Sequence, residues 1–209
     1  MTTVRTGAAT GLDRRGPGRP RAEDLDARII DAALRLIDLG EPVTVGRVVE
    51  VSGASRAALY RRWPTVTDLI AAALDRGRDV IAIPTDGDLE ENILRTMTEG
   101  AGTVEASYSD ERFRQRLRLG LADRALQRTY WTSHVARRRT AIADALRVGI
   151  ERGILRPDLD VEACIDLING VFYYQFVVRG DTWSDPGVLE RCRVALRVAW
   201  RGMSVERAR

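Results

Sequence analysis

Arg56, Ala57, Tyr60 and Arg61 lie close together in the stretch SGASRAALYRRWPT, residues 52–65. On a helix, at roughly 100° per residue, these four share one arc, Leu59 and Trp63 fall opposite, and Arg62 borders the two. Guanidinium groups can reach phosphates or the N7 and O6 acceptors of guanine, a tyrosine hydroxyl can reach a phosphate, and Ala57 allows close approach or touches a thymine methyl. That is the chemistry of a helix laid in a DNA major groove. In a chain with 30% charged residues an arginine-rich arc can also be merely solvated, so the surrounding elements must decide.

A helix is predicted from Ala22, where acids crowd the first turn, Leu25, Ile29, Ala33, Leu36 and Ile37 recur at three and four, and Gly40 supplies the stop. Thr44 is placed to cap a short helix with Val45, Val48 and Val49 inward and Arg47 and Glu50 outward. SGAS interrupts it, and Ser55 caps a second short helix that runs to Trp63, ahead of Pro64. Two short helices meeting at a tight turn match the helix-turn-helix, whose second helix enters the groove. The free N–H groups at its start suit a phosphate, and Thr44 and Arg47 sit where further backbone contacts are expected. TVTDLIAAALDRGRDVIA predicts a fourth helix through Ala82, and Pro84 and Gly87 then break the pattern.

From Arg28 to Leu74 the chain resembles the N-terminal domain of TetR-family (tetracycline-repressor-like) regulators. The likeness rests on A-A-L-x-L-I, T-V before the first short helix, the turn G-A-S-R, L-Y-R-R-W-P, and D-L-I in the fourth helix. It implies that Thr44, Ser55, Arg56, Ala57, Tyr60 and Arg61 contact DNA, with Arg56 and Ala57 nearest the base edges. Arg19 and Arg21 would lie in or beside the minor groove. The chain departs from the family at Val66, where Lys is usual, and at Ala54, where Val is more usual. The expected architecture is all-α: a flexible basic arm (1–21), a helix-turn-helix domain (22–80), and a larger helical regulatory domain (81–209).

In the C-terminal half, helices are expected at about 88–106, 109–121, 122–153, 159–179 and 186–203. ERFRQRLRLGL alternates with period two, yet Phe113, Leu117 and Leu121 repeat every four, so it is read as a helix with a solvated arginine face. VEACIDLINGVFYYQFVV (161–178) is apolar nearly all round and needs burial, while Glu162, Asp166, Asn169 and Gln175 argue against a membrane span. The last helix puts Val188, Cys192, Ala195 and Ala199 on one stripe with Leu196 beside it, a candidate surface for a four-helix interface with a second copy. The family likeness extends to R-G-I-L-R-P-D-L-D and G-V-F-Y-Y, and implies the same dimer together with a cavity for a small effector. Candidate lining residues are Met97, Phe113, Leu117, Leu121, Trp131, Phe172, Tyr173, Gln175 and Phe176, although aromatics at helical spacing more often fill cores. His134, the sole histidine, reads as a partly exposed helical residue.

All 33 basic residues are arginine, yet the net charge is only +3, so the total decides little. Position says more: residues 1–21 hold five arginines against one aspartate. That segment lacks the apolar run of a secretory signal, so a cytoplasmic protein is expected. Cys164 and Cys192 have neither partners nor a histidine at ligand spacing, so no metal or cofactor is expected, and no nucleophile–base–acid constellation or phosphate loop points to an enzyme. The expected partners are double-stranded operator DNA, a small effector and a second copy of the chain, with no membrane, in a homodimeric repressor. A helical enzyme or carrier, whose turnover would ignore Tyr60→Ala, and an adaptor, whose association would ignore DNA and salt, are the competing readings.

Overall fold

The computed structural model describes residues 22–78, 82–107, 109–185 and 187–205, and every regular element among them is helical. Helix α1 (Ala22–Asp38) has Glu23 and Asp24 in its first turn and Arg35 in its last, charges that suit its dipole. Its Ile29, Ala33, Leu36 and Ile37 are buried, and Gly40 turns the chain at φ 70°. Helix α2 (Val45–Ser52) starts at Thr44, whose hydroxyl accepts the Arg47 N–H at 3.3 Å, and stops at Gly53. Helix α3 (Arg56–Tyr60) starts at Ser55, whose hydroxyl accepts the Ala58 N–H at 3.1 Å. Helix α4 (Val66–Leu74) opens with reciprocal bonds between Thr65 and Asp68.

The fourth helix, expected to continue to Ala82, stops at Leu74. Asp75 is drawn into a buried cluster described below, and Gly77 takes a left-handed turn at φ 84°. The expected division between residues 80 and 81 falls outside the described residues.

The remaining helices are α5 (Leu89–Ser107), α6 (Asp110–Ala122), α7 (Arg124–Tyr130), α8 (Ala136–Glu151), α9 (Val161–Tyr173) and α10 (Val188–Met203). ERFRQRLRLGL is helical, as part of α6. The sequence pattern reads as continuous α-helix where the chain has two wider i→i+5 segments, Trp131–Val135 joining α7 to α8 and Tyr174–Arg179 extending α9. Each such segment re-aims the helix face that follows it.

Two apolar clusters result. One joins Leu89 and Ile93 of α5 to Leu146 of α8, Ile165 and Ile168 of α9, and Cys192 and Leu196 of α10. The other gathers Ile29, Leu36, Val48, Leu59, Leu69 and Leu74 of α1–α4 and is completed by Leu126 and Tyr130 of α7. Gln115 of α6 also donates to the Ile37 carbonyl at 2.5 Å. The stretch Val161–Arg179 has the length and mean hydropathy (1.2) of a membrane span, but Ile165, Ile168, Phe172 and Phe176 are committed to the first cluster.

The connection from α8 to α9 is sewn to the end of α10: Arg156 N–H donates to Met203 O at 2.9 Å and Val205 N–H to Ile154 O at 3.1 Å, with Leu155 fully buried between. Gly149 makes room for Leu155, since a Cβ there would stand 2.8 Å from Leu155 Cδ1 and 3.0 Å from Leu89 Cδ2. Gly149→Ala should therefore destabilise the chain by about 1–3 kcal/mol, overriding a gain of up to ~1 kcal/mol in helix propensity. A denaturation midpoint at or above the parent's would show that Leu155 repacks without cost.

Candidate nucleic-acid interface and effector cavity

Helix α3 divides its residues cleanly. Ala58 and Leu59 are buried, Leu59 in the cluster with α1 and α2, whereas Arg56, Ala57 and Tyr60, and Arg61 just past the helix, are exposed, with Tyr60 at 48%. Thr44 and Ser55 are exposed as well, each using its hydroxyl as a cap. Nη2 of Arg56 would stand 3.9 Å from a Cβ built on Gly46, so its side chain reaches back over the start of α2. Arg47 is held by Glu41 at 2.6 Å and Glu50 at 2.7 Å, which raise its pKa above the ordinary arginine value. A phosphate must compete with both carboxylates for it. Arg19 and Arg21 lie outside the described residues.

Arg62, on the border of the two faces, turns inward. Its side chain is 14% exposed, pairs with Asp26 of α1 and donates to the Ala58 carbonyl at 3.2 Å. This strap sets the pitch of α3 against α1. Arg62→Gln and Asp26→Asn should each cost roughly 1–3 kcal/mol of stability, and the double substitution less than their sum. Full additivity in a denaturation cycle would mean the two side chains act independently. Val66, at the departure from the family pattern, is half-buried and packs against the N-terminal core.

A cavity of about 530 Å³ opens in the C-terminal half, a size suited to a drug-sized molecule. Met97, Leu117, Trp131 and Tyr173 line it, with Ile83 and Ile142. The other expected lining residues lie elsewhere. Phe113, Phe172 and Phe176 are buried in the core, where Phe176 meets Phe113 edge-on at 6.3 Å and stacks with Phe172 at 6.5 Å. Gln175 is buried and accepts a bond from Arg191 Nε at 3.2 Å, while Leu121 points to solvent at 71% exposure. Their helix phase carries them past the cavity.

The cavity's polar wall, absent from the expected set, is built from arginines: Arg78, Arg116, Arg138 and Arg139. Arg114 and Arg118 of α6 are exposed as expected, but Arg116 is buried, with its Cζ 5.0 Å from the Phe113 ring centroid and 5.2 Å from that of Tyr130. Arg139 ties α8 to α9 through Glu162 at 2.8 Å and Asp166 at 2.7 Å.

Behind this wall stands Asp75, immediately after α4, with its side chain 5% exposed. His134 Nδ1 and Arg137 approach its carboxylate at 3.0 Å each, Arg138 pairs with it, and the Tyr130 hydroxyl lies 3.2 Å away. Burial alone would raise the Asp75 carboxyl, but the hydrogen bond with His134 and the charge of Arg138 overrule it and hold it at about 2. His134 thus contributes to a buried junction between the two halves. Cys164 and Cys192 are buried free thiols, and burial pushes Cys192 up to about 11, away from nucleophile character.

The expected interface stripe on α10 needs correction. Val188, Cys192 and Leu196 face the chain's own core, with Ala195 and Ala199 half-buried beside them. The face left open carries Val194 and Val198 on α10, and Leu167, Tyr174 and Val178 on α9 and its extension. Periodicity alone could not say which stripe the chain keeps for itself.

A capped two-helix turn presenting exposed arginine and tyrosine on its second helix, joined to a helical body with a cavity, defines a helix-turn-helix protein of the DNA-binding class. Residues 83–192 match the family of tetracyclin repressor-like C-terminal domains. The HTH-type transcriptional regulator YdeS of Bacillus subtilis, itself uncharacterized, is 30% identical over 178 residues, covering 80% of this chain and 86% of that protein. Among solved structures, the TetR family transcription regulator SCO0332 shares the fold with a TM-score of 0.62 at 23% identity, over 87% of this chain and 100% of that one. A TetR transcriptional regulator from Agrobacterium tumefaciens does so with a TM-score of 0.59 at 20% identity, over 87% and 95%. The chain belongs to the TetR family of DNA-binding transcriptional regulators.

Proposed function

We propose that the chain works as a homodimeric repressor that holds a pseudo-palindromic operator through α3 and its flanking caps and lets go when a small effector fills the C-terminal cavity. The observation that carries this reading is the division of α3, whose Ala58 and Leu59 are buried while Arg56, Ala57, Tyr60 and the following Arg61 stand exposed. Arg56 and Ala57 meet base edges; Tyr60, Arg61, Thr44 and Ser55 meet the backbone. The second copy covers the open apolar faces of α9 and α10, which sets two α3 helices about one DNA turn, ~34–36 Å, apart. An effector that favours a different separation lowers operator affinity by its differential binding.

The test is a DNase footprint of the full chain on the intergenic DNA beside its own gene, at two salt concentrations, followed by an effector screen on the protected site. A symmetric protected site supports a dimeric reader of half-sites. Diffuse, salt-sensitive protection alone would leave the chain a non-specific DNA binder, and a ligand that binds tightly without changing operator affinity would refute release.

A further inference from the structure

The Tyr130 hydroxyl is a meeting point for the cavity's cationic wall. Arg78 donates to it at 3.0 Å and Arg138 at 3.1 Å, while the Arg116 guanidinium lies against the Tyr130 ring and donates to the Tyr173 hydroxyl at 3.4 Å. These groups converge from the turn after α4 and from α6, α7 and α8. Among the described lining residues the one acid is Asp166, and Arg139 already holds it at 2.7 Å. At one end the lining carries Arg78, Arg116 and Arg138, the last also paired with Asp75 behind it, and along Met97, Leu117, Trp131 and Ile142 it is apolar. Low-dielectric walls bearing one sign of charge concentrate the field inside a cleft. Tyr173 is 43% exposed at the cavity, and the desolvation that raises its hydroxyl is outweighed by Arg116, and after it Arg78 and Arg138, which bring it below the usual phenol range.

We propose that the cavity is selective for organic acids, seating a carboxylate beside Tyr130 among Arg78, Arg116 and Arg138 and an apolar body along Met97, Leu117 and Trp131. The inference rests on reading the cavity as the effector site. Arg138 already divides its guanidinium between the Tyr130 hydroxyl and Asp75. A bound carboxylate competes with Asp75 for that group, and so acts on the residue that ends α4. Arginine suits the role because its planar fork can serve two oxygen acceptors at once.

Acid and amide pairs with a common body test this: octanoate against octanamide, and 4-phenylbenzoate against 4-phenylbenzamide. Each is titrated by calorimetry into the full chain at fixed ionic strength, with operator affinity measured in parallel. At least one acid should bind about tenfold or more tightly than its amide, the scale of a charge-assisted hydrogen-bond pair. The Arg78→Gln/Arg116→Gln double variant should abolish that preference and leave amide affinity within about twofold. Because Arg116 is buried, Arg78→Gln alone serves if the double variant does not fold, and should lose part of the preference. Amides binding as well as acids, no acid-selective binding in either pair, or a preference untouched by the substitutions would overturn the proposal. Acid-selective binding that leaves operator affinity unchanged would uphold the acid site and defeat effector release; release by acids and amides alike would do the reverse.

Discussion

Replacing Tyr60 and Arg61 together by alanine should weaken operator binding roughly 100-fold or more while leaving the folded chain as stable as its parent. Both side chains are exposed, and α3 is held by the Ser55 cap and by the burial of Ala58 and Leu59, none of which the substitutions touch. Each lost backbone contact costs on the order of 1 kcal/mol or more, and a dimer on two half-sites loses each contact twice. Because phosphates carry no sequence information, random duplexes should lose affinity too, with a shallower salt dependence. Arg56→Ala should behave differently, relaxing base preference at one position per half-site by about 1–3 kcal/mol. Fluorescence anisotropy on operator and scrambled duplexes at two salt concentrations, beside thermal melts, separates these outcomes. Parental affinity in the double variant would move the interface away from α3.

Asp75→Asn should be the most damaging single change to stability, costing roughly 3–5 kcal/mol. The carboxylate answers Arg137, Arg138 and His134, and Arg138 is nearly as buried, with its side chain 13% exposed. An amide leaves that guanidinium buried without its counter-charge. The same group makes the parent acid-sensitive in a definite direction. Its carboxyl titrates at about 2 in the folded chain against an ordinary 3.8, so the unfolded chain binds the proton more readily. Its contribution, of order 2 kcal/mol, is complete above about pH 4 and drains away as the pH falls toward about 2. Denaturant unfolding across that window should show the loss in the parent and a smaller one in Asp75→Asn. Identical pH profiles would mean that Asp75 is not the group that titrates.

The features legible in the sequence were those that neighbours in the chain decide. Thr44 and Ser55 cap the helices they precede, because a hydroxyl reaches an N–H three residues on whatever the rest of the fold does. The arc of Arg56, Ala57 and Tyr60 opposite Leu59 follows from helical period, although the helix stops at Tyr60 and not at Trp63 as its pattern predicts. What the sequence hid depends on partners far along the chain. Asp75 stops α4 because His134, Arg137 and Arg138 wait for it some sixty positions later. Arg116 looks like its exposed neighbours Arg114 and Arg118, and only the rings of Phe113 and Tyr130 distinguish it. For the same reason, of the five aromatic residues expected at the cavity, Trp131 and Tyr173 reach it, while Phe113, Phe172 and Phe176 are turned aside with the core. On α10, period marks an apolar stripe without saying who covers it, and Val188, Cys192 and Leu196 of that stripe lie in the chain's own core.

The core of α1–α4 is finished by Leu126 and Tyr130 from α7, and this bears on how such proteins can be recombined. A DNA-reading head cut after residue 78 would carry an open socket where those two side chains belong. Grafted onto a different regulatory body, it would inherit whatever that body offers at the socket. The transplantable unit is therefore discontinuous: α1 to α4 together with α7. Chimaeras that move the first segment without the second should fold only when the recipient supplies an apolar residue and a tyrosine at the matching positions, so heads and bodies in this family are expected to diverge as matched pairs across that seam.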